Sequence, residues 1–279
     1  MPGTLYIVAT PIGNLEDLTP RAARVLGEAD VIAAESSDLA RKLLRHIGVS
    51  KRPTPYNDRN RSRTTGRLIA ALSAGQDVAL ICDAGTPGLS DPGQDLVRAA
   101  REAGVRVVPV AGPSTVAALI SVAGVWGRTF RSIGFAPRKA GERRTVFTRI
   151  AELGEPTIVF ESPHRIGATL AALAEVLPEA RLVVGRELTK LHEEIWEGSP
   201  AEAVEHFESP RGEFALFVVP PVVEARAWSD AEVIEALAKA RASGQSRRDA
   251  ARALAGKAGR SRREVYGLWS ELDAGAGGH

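Results

Sequence analysis

The chain has 279 residues, of which 44% are hydrophobic and 25% are charged, and its formal net charge at pH 7 is +2. This composition excludes extended disorder and predicts a soluble globular protein of two domains, with or without a small appendage. The single cysteine excludes an internal disulfide and a cysteine-cluster zinc site, the histidines lack metal-ligand spacing, and no secretion signal or membrane span is recognisable, so we expect a cytoplasmic protein without a metal.

The first 112 residues alternate between short β-branched runs and amphipathic stretches of helical period. The runs lie at residues 5–9, 31–34, 78–81 and 105–110. Thr19 before Pro20 is typical of a helix start. Helix ends are expected at Gly48, Gly75 and Gly104. The alternation predicts a mostly parallel α/β sheet, and we assign residues 1–115 to an N-terminal domain.

A second α/β layer is predicted over residues 116–222. Strand-like runs lie at residues 157–160, 181–184 and 214–219. The first of these is followed by an apolar stretch that we expect to form a helix capped by Ser162. Pro220 and Pro221 end this domain, and residues 222–227 have the composition of a linker.

Residues 229–272 predict a small module of three helices. Each helix begins with a capping pattern, Ser229 with Glu232, Ser246 with Asp249, and Ser261 with Glu264. Between residues 246 and 263 there are seven arginines and lysines and one acid. The spacing resembles a helix-turn-helix unit, which favours contact with nucleic acid. A solvated helical face remains the alternative.

The stretch CDAGTPGLSDPG at residues 82–93 directly follows a predicted strand. It lacks the lysine of a phosphate-binding P-loop and the spacing of a dinucleotide-binding loop. A rigid turn that brings backbone close to a ligand at the carboxyl end of a parallel strand fits the residues better. A tight turn that only reverses the chain is the alternative.

Four other polar or Gly/Pro-rich segments also follow predicted strands. They read ATPIGNLEDLTPRA, PVAGPSTVAAL, VFESPHR and GRELTKLHEEIWEG. Because they come from both predicted domains, they indicate a ligand held in an interdomain cleft.

With these segments in order, residues 4 to about 219 resemble the tetrapyrrole methylase superfamily of class III AdoMet-dependent methyltransferases. The resemblance implies a two-domain α/β fold with S-adenosyl-L-methionine (AdoMet) in the interdomain cleft, followed by the small helical module. It is strongest to the branch that methylates the ribose 2'-hydroxyl of a cytidine in the decoding centre of 16S rRNA. It further implies 16S rRNA or the small ribosomal subunit as partner, and a homodimer.

The resemblance also implies roles for individual residues. Pro11 and Ile12 would border the substrate side of the cleft. The cofactor would be held by Asp83, Ala84, Gly85, Thr86, Leu89, Ser114, Thr115, Phe160, Glu161 and Leu188. After the second strand, Ser36-Ser37-Asp38 follows Glu35, where this branch usually has Asp-Thr-Arg.

Methyl transfer to a hydroxyl requires alignment and removal of a proton, so acids and bases near the cleft are candidate catalytic residues. The candidates are Glu35, Glu161, Glu187 and Lys190, with Asp38 as a weaker one. Lys190 could instead bind a phosphate, and Glu187 could form a structural ion pair with Arg186. Candidate RNA-binding residues are Arg59, Arg61, Arg138, Lys139, Arg165, Arg247, Arg248, Arg262 and Arg263. We expect the segment around Gly141 to be a mobile loop, and a helix-capping role is the alternative for Arg165.

Two other functions remain open at this point. One is a methyltransferase of the same fold that acts on a tetrapyrrole or a protein. The other is a non-catalytic rRNA-binding assembly factor. The basic C-terminal module argues against the first alternative, whereas the unusual residues after Glu35 favour the second.

Overall fold

The computed structural model of the chain describes residues 1–88, 91–124, 129–209, 211–221 and 228–275, without the side chains of the last five residues. The chain divides into two compact units, Met1–Pro221 and Val222–His279. Within the described ranges, no helix combines the length and the apolar composition that a membrane crossing requires.

The first half of the larger unit is a five-stranded parallel sheet in the order β3-β2-β4-β1-β5. Its strands are β1 (Thr4–Val8), β2 (Val31–Ala34), β3 (Thr54–Pro55), β4 (Val78–Ile81) and β5 (Arg106–Val110). Its helices are α1 (Pro20–Glu28), α2 (Ser37–His46), α3 (Arg61–Ser73) and α4 (Gln94–Glu102). A short 3-10 helix spans Leu15–Asp17. The predicted parallel α/β sheet is therefore confirmed.

Local chemistry explains where these helices begin and end. The hydroxyl of Thr19 accepts the N–H of Ala22 at 3.1 Å, and proline occupies the first position of α1. The glycines expected to end helices have φ values of +71° at Gly48, +89° at Gly75 and +69° at Gly104. Only glycine adopts this conformation without strain, so each glycine ends its helix.

The second half of the larger unit is a mixed sheet in the order β6-β7-β10-β8-β9, in which only β6 and β7 are parallel. Its strands are β6 (Arg131–Phe135), β7 (Thr157–Glu161), β8 (Arg181–Arg186), β9 (Glu194–Gly198) and β10 (Phe214–Val219). Its helices are α5 (Thr115–Val122), α6 (Ala140–Leu153), α7 (Ile166–Val176) and α8 (Pro200–His206). The sequence analysis missed β6, whose residues are mostly exposed, and β9, in which half-buried and exposed residues alternate.

The central strand β10 is buried on both faces. Ala215 and Phe217 pack on one face in a cluster with Leu119 of α5. Leu216 and Val218 point the other way, into the cluster formed with α6, α7 and α8. Each fully buried aliphatic side chain of this kind stabilises the fold by about 1.5–3 kcal/mol.

Two local predictions were wrong. Ser162 does not cap α7, because the backbone first makes a turn in which the carbonyl of Ser162 accepts the N–H groups of Arg165 and Ile166. The helix then begins at Ile166. The segment around Gly141 is not a mobile loop, because Gly141 lies in the first turn of α6.

The smaller unit contains α9 (Asp230–Ala242), α10 (Arg247–Ala255) and α11 (Arg262–Gly275). All three predicted caps form, since the hydroxyls of Ser229, Ser246 and Ser261 accept the backbone N–H groups of Glu232, Asp249 and Glu264. Its core is formed by Val233, Leu237, Ala250, Ala251, Ala255, Ala258, Val265, Leu268 and Trp269.

Candidate active site

A cavity of ≈ 490 Å³ lies in the larger unit, where loops after β1, β2 and β4 meet residues of the second sheet. Its lining combines apolar and acidic side chains with small residues. The lining residues are Ile12, Glu35, Asp83, Ala84, Gly85, Thr86, Asp91, Thr115, Phe135, Phe160, Glu161, Ser162, Pro163, Gly185, Leu188, Lys190, Glu213, Phe214 and Ala215.

The glycine-rich loop after β4 is fixed to two neighbouring loops. Gly85 donates its N–H to the carbonyl of Thr10 at 3.0 Å and accepts the N–H of Thr10 at 2.8 Å. The hydroxyl of Thr86 donates to the carbonyl of Pro113 at 3.4 Å. Gly85 has a φ of +77°, and a β-carbon there would lie 3.5 Å from Ile12. A side chain at position 85 would thus be strained and would reach towards the cavity lining.

Three carboxylates, Glu35, Asp83 and Asp91, form what we call the first-sheet wall. Burial raises the pKa of Glu35, and the negative charges of Asp83 and Asp91 raise it further. Partial burial also raises the pKa of Asp83 and of Asp91. Asp83 accepts the N–H of Ser36 at 3.0 Å, which links the loops after β2 and β4. No ion pair to these three side chains is found within the described residues, so their negative charges are uncompensated.

Glu161 on the opposite side is fully paired. Its side chain has no exposed surface and contacts the guanidinium of Arg165 at 2.6 Å. It also accepts the N–H of Ser162 and the hydroxyl of Thr169, each at 2.8 Å. With both oxygens bonded, Glu161 joins β7 to α7 and has a structural role.

Lys190 lies between two carboxylates. Its ammonium is 2.9 Å from Glu187 Oε1 and 2.9 Å from Glu213 Oε2. Burial alone would lower the pKa of Lys190, but its hydrogen bonds to Glu187 and Glu213 outweigh burial and raise that pKa. Burial opposes the shift at Glu187 too, yet the bond from Lys190 and the N–H of Glu213 lower its pKa. Lys190 is therefore a protonated, neutralised cation and a poor base.

Close backbone contacts hold this triad in place. Glu187 and Thr189 have positive φ values of 51° and 66°, which are strained for residues with side chains. A β-carbon on Gly212 would lie 2.3 Å from Glu187 Cγ, and one on Gly13 would lie 2.5 Å from Lys190 Cγ. Two glycines from distant segments are thus required for the triad to pack. We call Glu161, Glu187, Lys190 and Glu213 the second-sheet wall.

Aromatic side chains form the apolar part of the cavity. Phe135 and Phe160 meet edge to face with ring centroids 5.8 Å apart, and Phe135 is 56% exposed. Phe214 also lines the cavity, but its ring packs against Phe207 in the core on the other face of the sheet. An exposed ring at the lining is a suitable surface for a flat ligand such as a nucleobase.

Eleven of the sequence-predicted site residues line the cavity. They are Ile12, Glu35, Asp83, Ala84, Gly85, Thr86, Thr115, Phe160, Glu161, Leu188 and Lys190. Glu187 and Ser114 lie next to lining residues, and Leu89 falls outside the described residues. Asp38, the weaker candidate among the acids, is exposed and pairs with Arg41 on α2. Arg186 pairs with Glu194, so the suggested Arg186–Glu187 ion pair is replaced by a Glu187–Lys190 pair.

Sequence reasoning missed several lining residues. Asp91 lies inside the quoted loop, whose acids and prolines were a usable signal. Glu213 and Phe214 had no such signal, because they lie at the amino end of a strand, whereas ligand sites are expected at carboxyl ends. Since β10 runs antiparallel to β7 and β8, its amino end lies at the same edge as their carboxyl ends.

None of the nine candidate RNA-binding cations is among the described lining residues. Arg165 stands at the cap position of α7 but its side chain makes no cap; it is bound instead by Glu161 and by the carbonyl of Ala136. Arg247 stacks 3.9 Å over the ring of Tyr266 and donates to its carbonyl. Arg61 and Lys139 form ion pairs. The remaining candidates are exposed and have no ion pair within the described residues: Arg59, Arg138, Arg248, Arg262 and Arg263.

The described part of the chain contains no candidate metal site. No group of three His, Cys, Asp or Glu side chains there is placed to hold an ion. The buried thiol of Cys82 donates to the carbonyls of Ala84 and Gly85, and burial, with the nearby charge of Asp91, raises its pKa. Cys82 is therefore not an activated nucleophile.

Comparisons with known proteins agree on one family. A family model described as Tetrapyrrole (Corrin/Porphyrin) Methylases matches residues 4–204. Ribosomal RNA small subunit methyltransferase I of Synechocystis sp. is 41% identical over 276 residues, covering 98% of this chain and 99% of that protein. The protein of the same name from Neisseria meningitidis serogroup B is 45% identical over 222 residues, covering 78% and 76%. A crystal structure of diphthine synthase matches 78% of this chain and 90% of its own with a TM-score of 0.64 at 15% identity, which shows a shared fold.

Proposed function

This chain belongs to the tetrapyrrole (corrin/porphyrin) methylase family, and we propose that it uses AdoMet to methylate the ribose 2'-hydroxyl of a cytidine in the decoding centre of 16S rRNA. The observation that carries the proposal is an acidic, aromatic-lined cavity in a chain whose relatives, 41–45% identical, are named rRNA methyltransferases. The choice of the cytidine 2'-hydroxyl rests on the motif series of the sequence.

The cavity residues suit AdoMet. AdoMet has a positively charged sulfonium and a positively charged amino group, and only one carboxylate. Five carboxylates and one amine line the cavity, and the three of the first-sheet wall have no cationic partner within the described residues. Phe160 and Leu188 offer apolar contact for an adenine ring, and ≈ 490 Å³ is a normal size for a small-molecule site. When bound, AdoMet supplies a methyl group on a charged sulfur.

Glu35 is the best candidate among the four proposed acids and bases for accepting the hydroxyl proton. Glu161 and Glu187 are already bonded to cations, and Lys190 is held protonated. The raised pKa of Glu35 makes its carboxylate a stronger base than an exposed glutamate. We infer that Glu35 takes the proton, whereas the ion pairs of the second-sheet wall stabilise the fold around the cavity.

Charge also determines how RNA must approach. The acidic cavity repels phosphate, so a ribose can enter only if its phosphates remain outside. The exposed arginines Arg59, Arg138, Arg248, Arg262 and Arg263 are the candidates for these phosphate contacts. Such contacts neutralise the RNA backbone without reading its sequence, so RNA affinity should fall steeply as salt rises.

The proposed substrate is 16S rRNA, free or in the small ribosomal subunit, and the family resemblance favours a homodimer. Sedimentation equilibrium tests the dimer. The function is tested by incubating the protein with methyl-labelled AdoMet and small subunits, or free 16S rRNA, that lack the modification. We expect label in 2'-O-methylcytidine. AdoMet binding without RNA label would point to a tetrapyrrole or protein substrate, and no AdoMet binding would favour an assembly factor.

A further inference from the structure

Arg143 is a buried charge without a counter-ion. It lies in the first turns of α6, is only 7% exposed, and has no carboxylate partner among the described residues. Its Nη1 donates to the carbonyls of Pro137 and Arg138 at 3.3 and 3.4 Å, and its Nε has no hydrogen-bond partner. Burying an unpaired guanidinium costs several kcal/mol, so an anion near this position would stabilise it.

Arg143 also orients the backbone before the helix. Because C=O and N–H point in opposite directions across a trans peptide, turning the carbonyls of Pro137 and Arg138 inwards turns the N–H groups of Arg138 and Lys139 outwards. None of the amides of residues 138–142 has an acceptor within the described part of the chain. Lys139, at the cap position, makes no side-chain cap, and a β-carbon at Gly141 would meet no atom within 4 Å.

The side chains around these amides are mainly basic. Arg138 is exposed and has no ion pair within the described residues, and Lys139 contacts Glu142 at 3.0 Å. The segment is also close to the cavity along the chain, because Phe135 is a lining residue and three residues of chain reach at most about 11 Å. Arg165 fixes the intervening Ala136 by donating to its carbonyl at 3.0 Å.

We propose that residues 138–142 at the start of α6 bind one backbone phosphate of the substrate RNA, with Arg143 as the buried positive charge beneath it. This inference rests on the proposed function, and it adds a position for one phosphate beside the cavity. Free amides at a helix N-terminus and a positive charge are the usual partners of phosphate. The carboxylate of Glu142 competes for the same positive charges.

The test is RNA binding by filter retention at several salt concentrations, with calorimetric measurement of AdoMet affinity. We expect Arg138→Gln to weaken RNA binding about two- to five-fold and to reduce the salt slope by about 1. Glu142→Gln should strengthen RNA binding, because it removes the competing carboxylate. Arg149→Gln is the matched control, since Arg149 is exposed further along α6. All three variants should bind AdoMet normally.

Arg143→Met tests the buried charge itself, and it should weaken RNA binding while AdoMet binding persists. If this variant does not fold, RNA binding by Arg138→Gln and Glu142→Gln tests the phosphate site. Should both of them behave like Arg149→Gln while the wild type methylates rRNA, the phosphate site is wrong and the proposed function stands. A wild type that neither binds nor methylates rRNA would overturn both proposals.

Discussion

Both walls of the cavity contain carboxylates, but only those of the second-sheet wall are paired with cations within the described residues. On the first-sheet wall, Glu35, Asp83 and Asp91 have no cationic partner within the described residues and raised pKa values. On the second-sheet wall, Glu161 and Glu187 are bonded to Arg165 and Lys190. Repulsion between like charges destabilises the folded protein, so the three carboxylates of the first-sheet wall are not there for stability. A cationic ligand explains them better. Paired charges instead fix geometry.

The largest expected effect comes from Glu35→Gln. Removing the proposed proton acceptor should lower the methyl-transfer rate by about 10²- to 10⁴-fold, with AdoMet affinity changed far less. Single-turnover assays with labelled AdoMet measure the rate. The control is Asp38→Asn, because that carboxylate is exposed and paired with Arg41. Equal methyl-transfer rates in the two variants would show that Glu35 is not the proton acceptor.

Gly85→Val should block the cavity from the first-sheet side. A branched side chain at a φ of +77° is strained, and its methyl groups would project beside Ile12 at the cavity lining, so AdoMet affinity should fall by about 100-fold or more while the fold persists. Gly48→Val is the control, because Gly48 has a φ of +71° but open space around it. Calorimetry measures the AdoMet affinity of both variants. Retained AdoMet binding in Gly85→Val would place the cofactor elsewhere.

A substitution that disturbs the second-sheet wall should lower the free energy of unfolding but have little effect on the rate of methyl transfer. Gly212→Ala places a β-carbon 2.3 Å from Glu187 Cγ at a φ of +85°, and should reduce the free energy of unfolding by about 2–3 kcal/mol. Gly104→Ala, with a φ of +69° and no nearby atom, separates backbone strain from the clash. Denaturant melts measure both variants. A large loss of methyl transfer per folded molecule would contradict the division of roles.

The smallest effect is a gain in stability. Asp91→Asn removes one of three repelling charges and should raise the melting temperature of the ligand-free protein by about 2 °C at neutral pH, while weakening AdoMet binding. Scanning calorimetry with and without AdoMet measures both effects. A lower melting temperature without AdoMet would show that Asp91 is not repelled by its neighbours.

The pH dependence of stability has opposite signs for the two walls. Because the folded pKa of Asp91 is raised, its contribution to stability decreases as pH rises from the unfolded to the folded pKa. The folded pKa of Glu187 is lowered, so its contribution is present above the unfolded pKa and is lost as pH falls through the folded pKa. Asp91→Asn should therefore flatten the decrease in melting temperature between acidic and neutral pH.

Several predictions from local patterns are confirmed. The matches to residues 4–204 and to relatives over most of the chain confirm the family resemblance. The parallel sheet, the glycine helix ends and the three serine caps follow from side-chain period and capping chemistry within a few residues of each site. The edge strand β6, the start of α7 at Ile166 and the start of α6 at Ala140 had no comparable local signal.

The sequence by itself determined the α/β class, the position of the loop at residues 82–93 and several of the acids near the cavity, but not Asp91 or Glu213. Only the tertiary structure decided which of those acids are paired. The carboxylate of Glu187 is fixed by Lys190, by the N–H of Glu213 and by the absence of a side chain at Gly212. The charge state of an acid depends on solvent exclusion and on neighbours in space, and those neighbours come from chain segments that no local pattern connects.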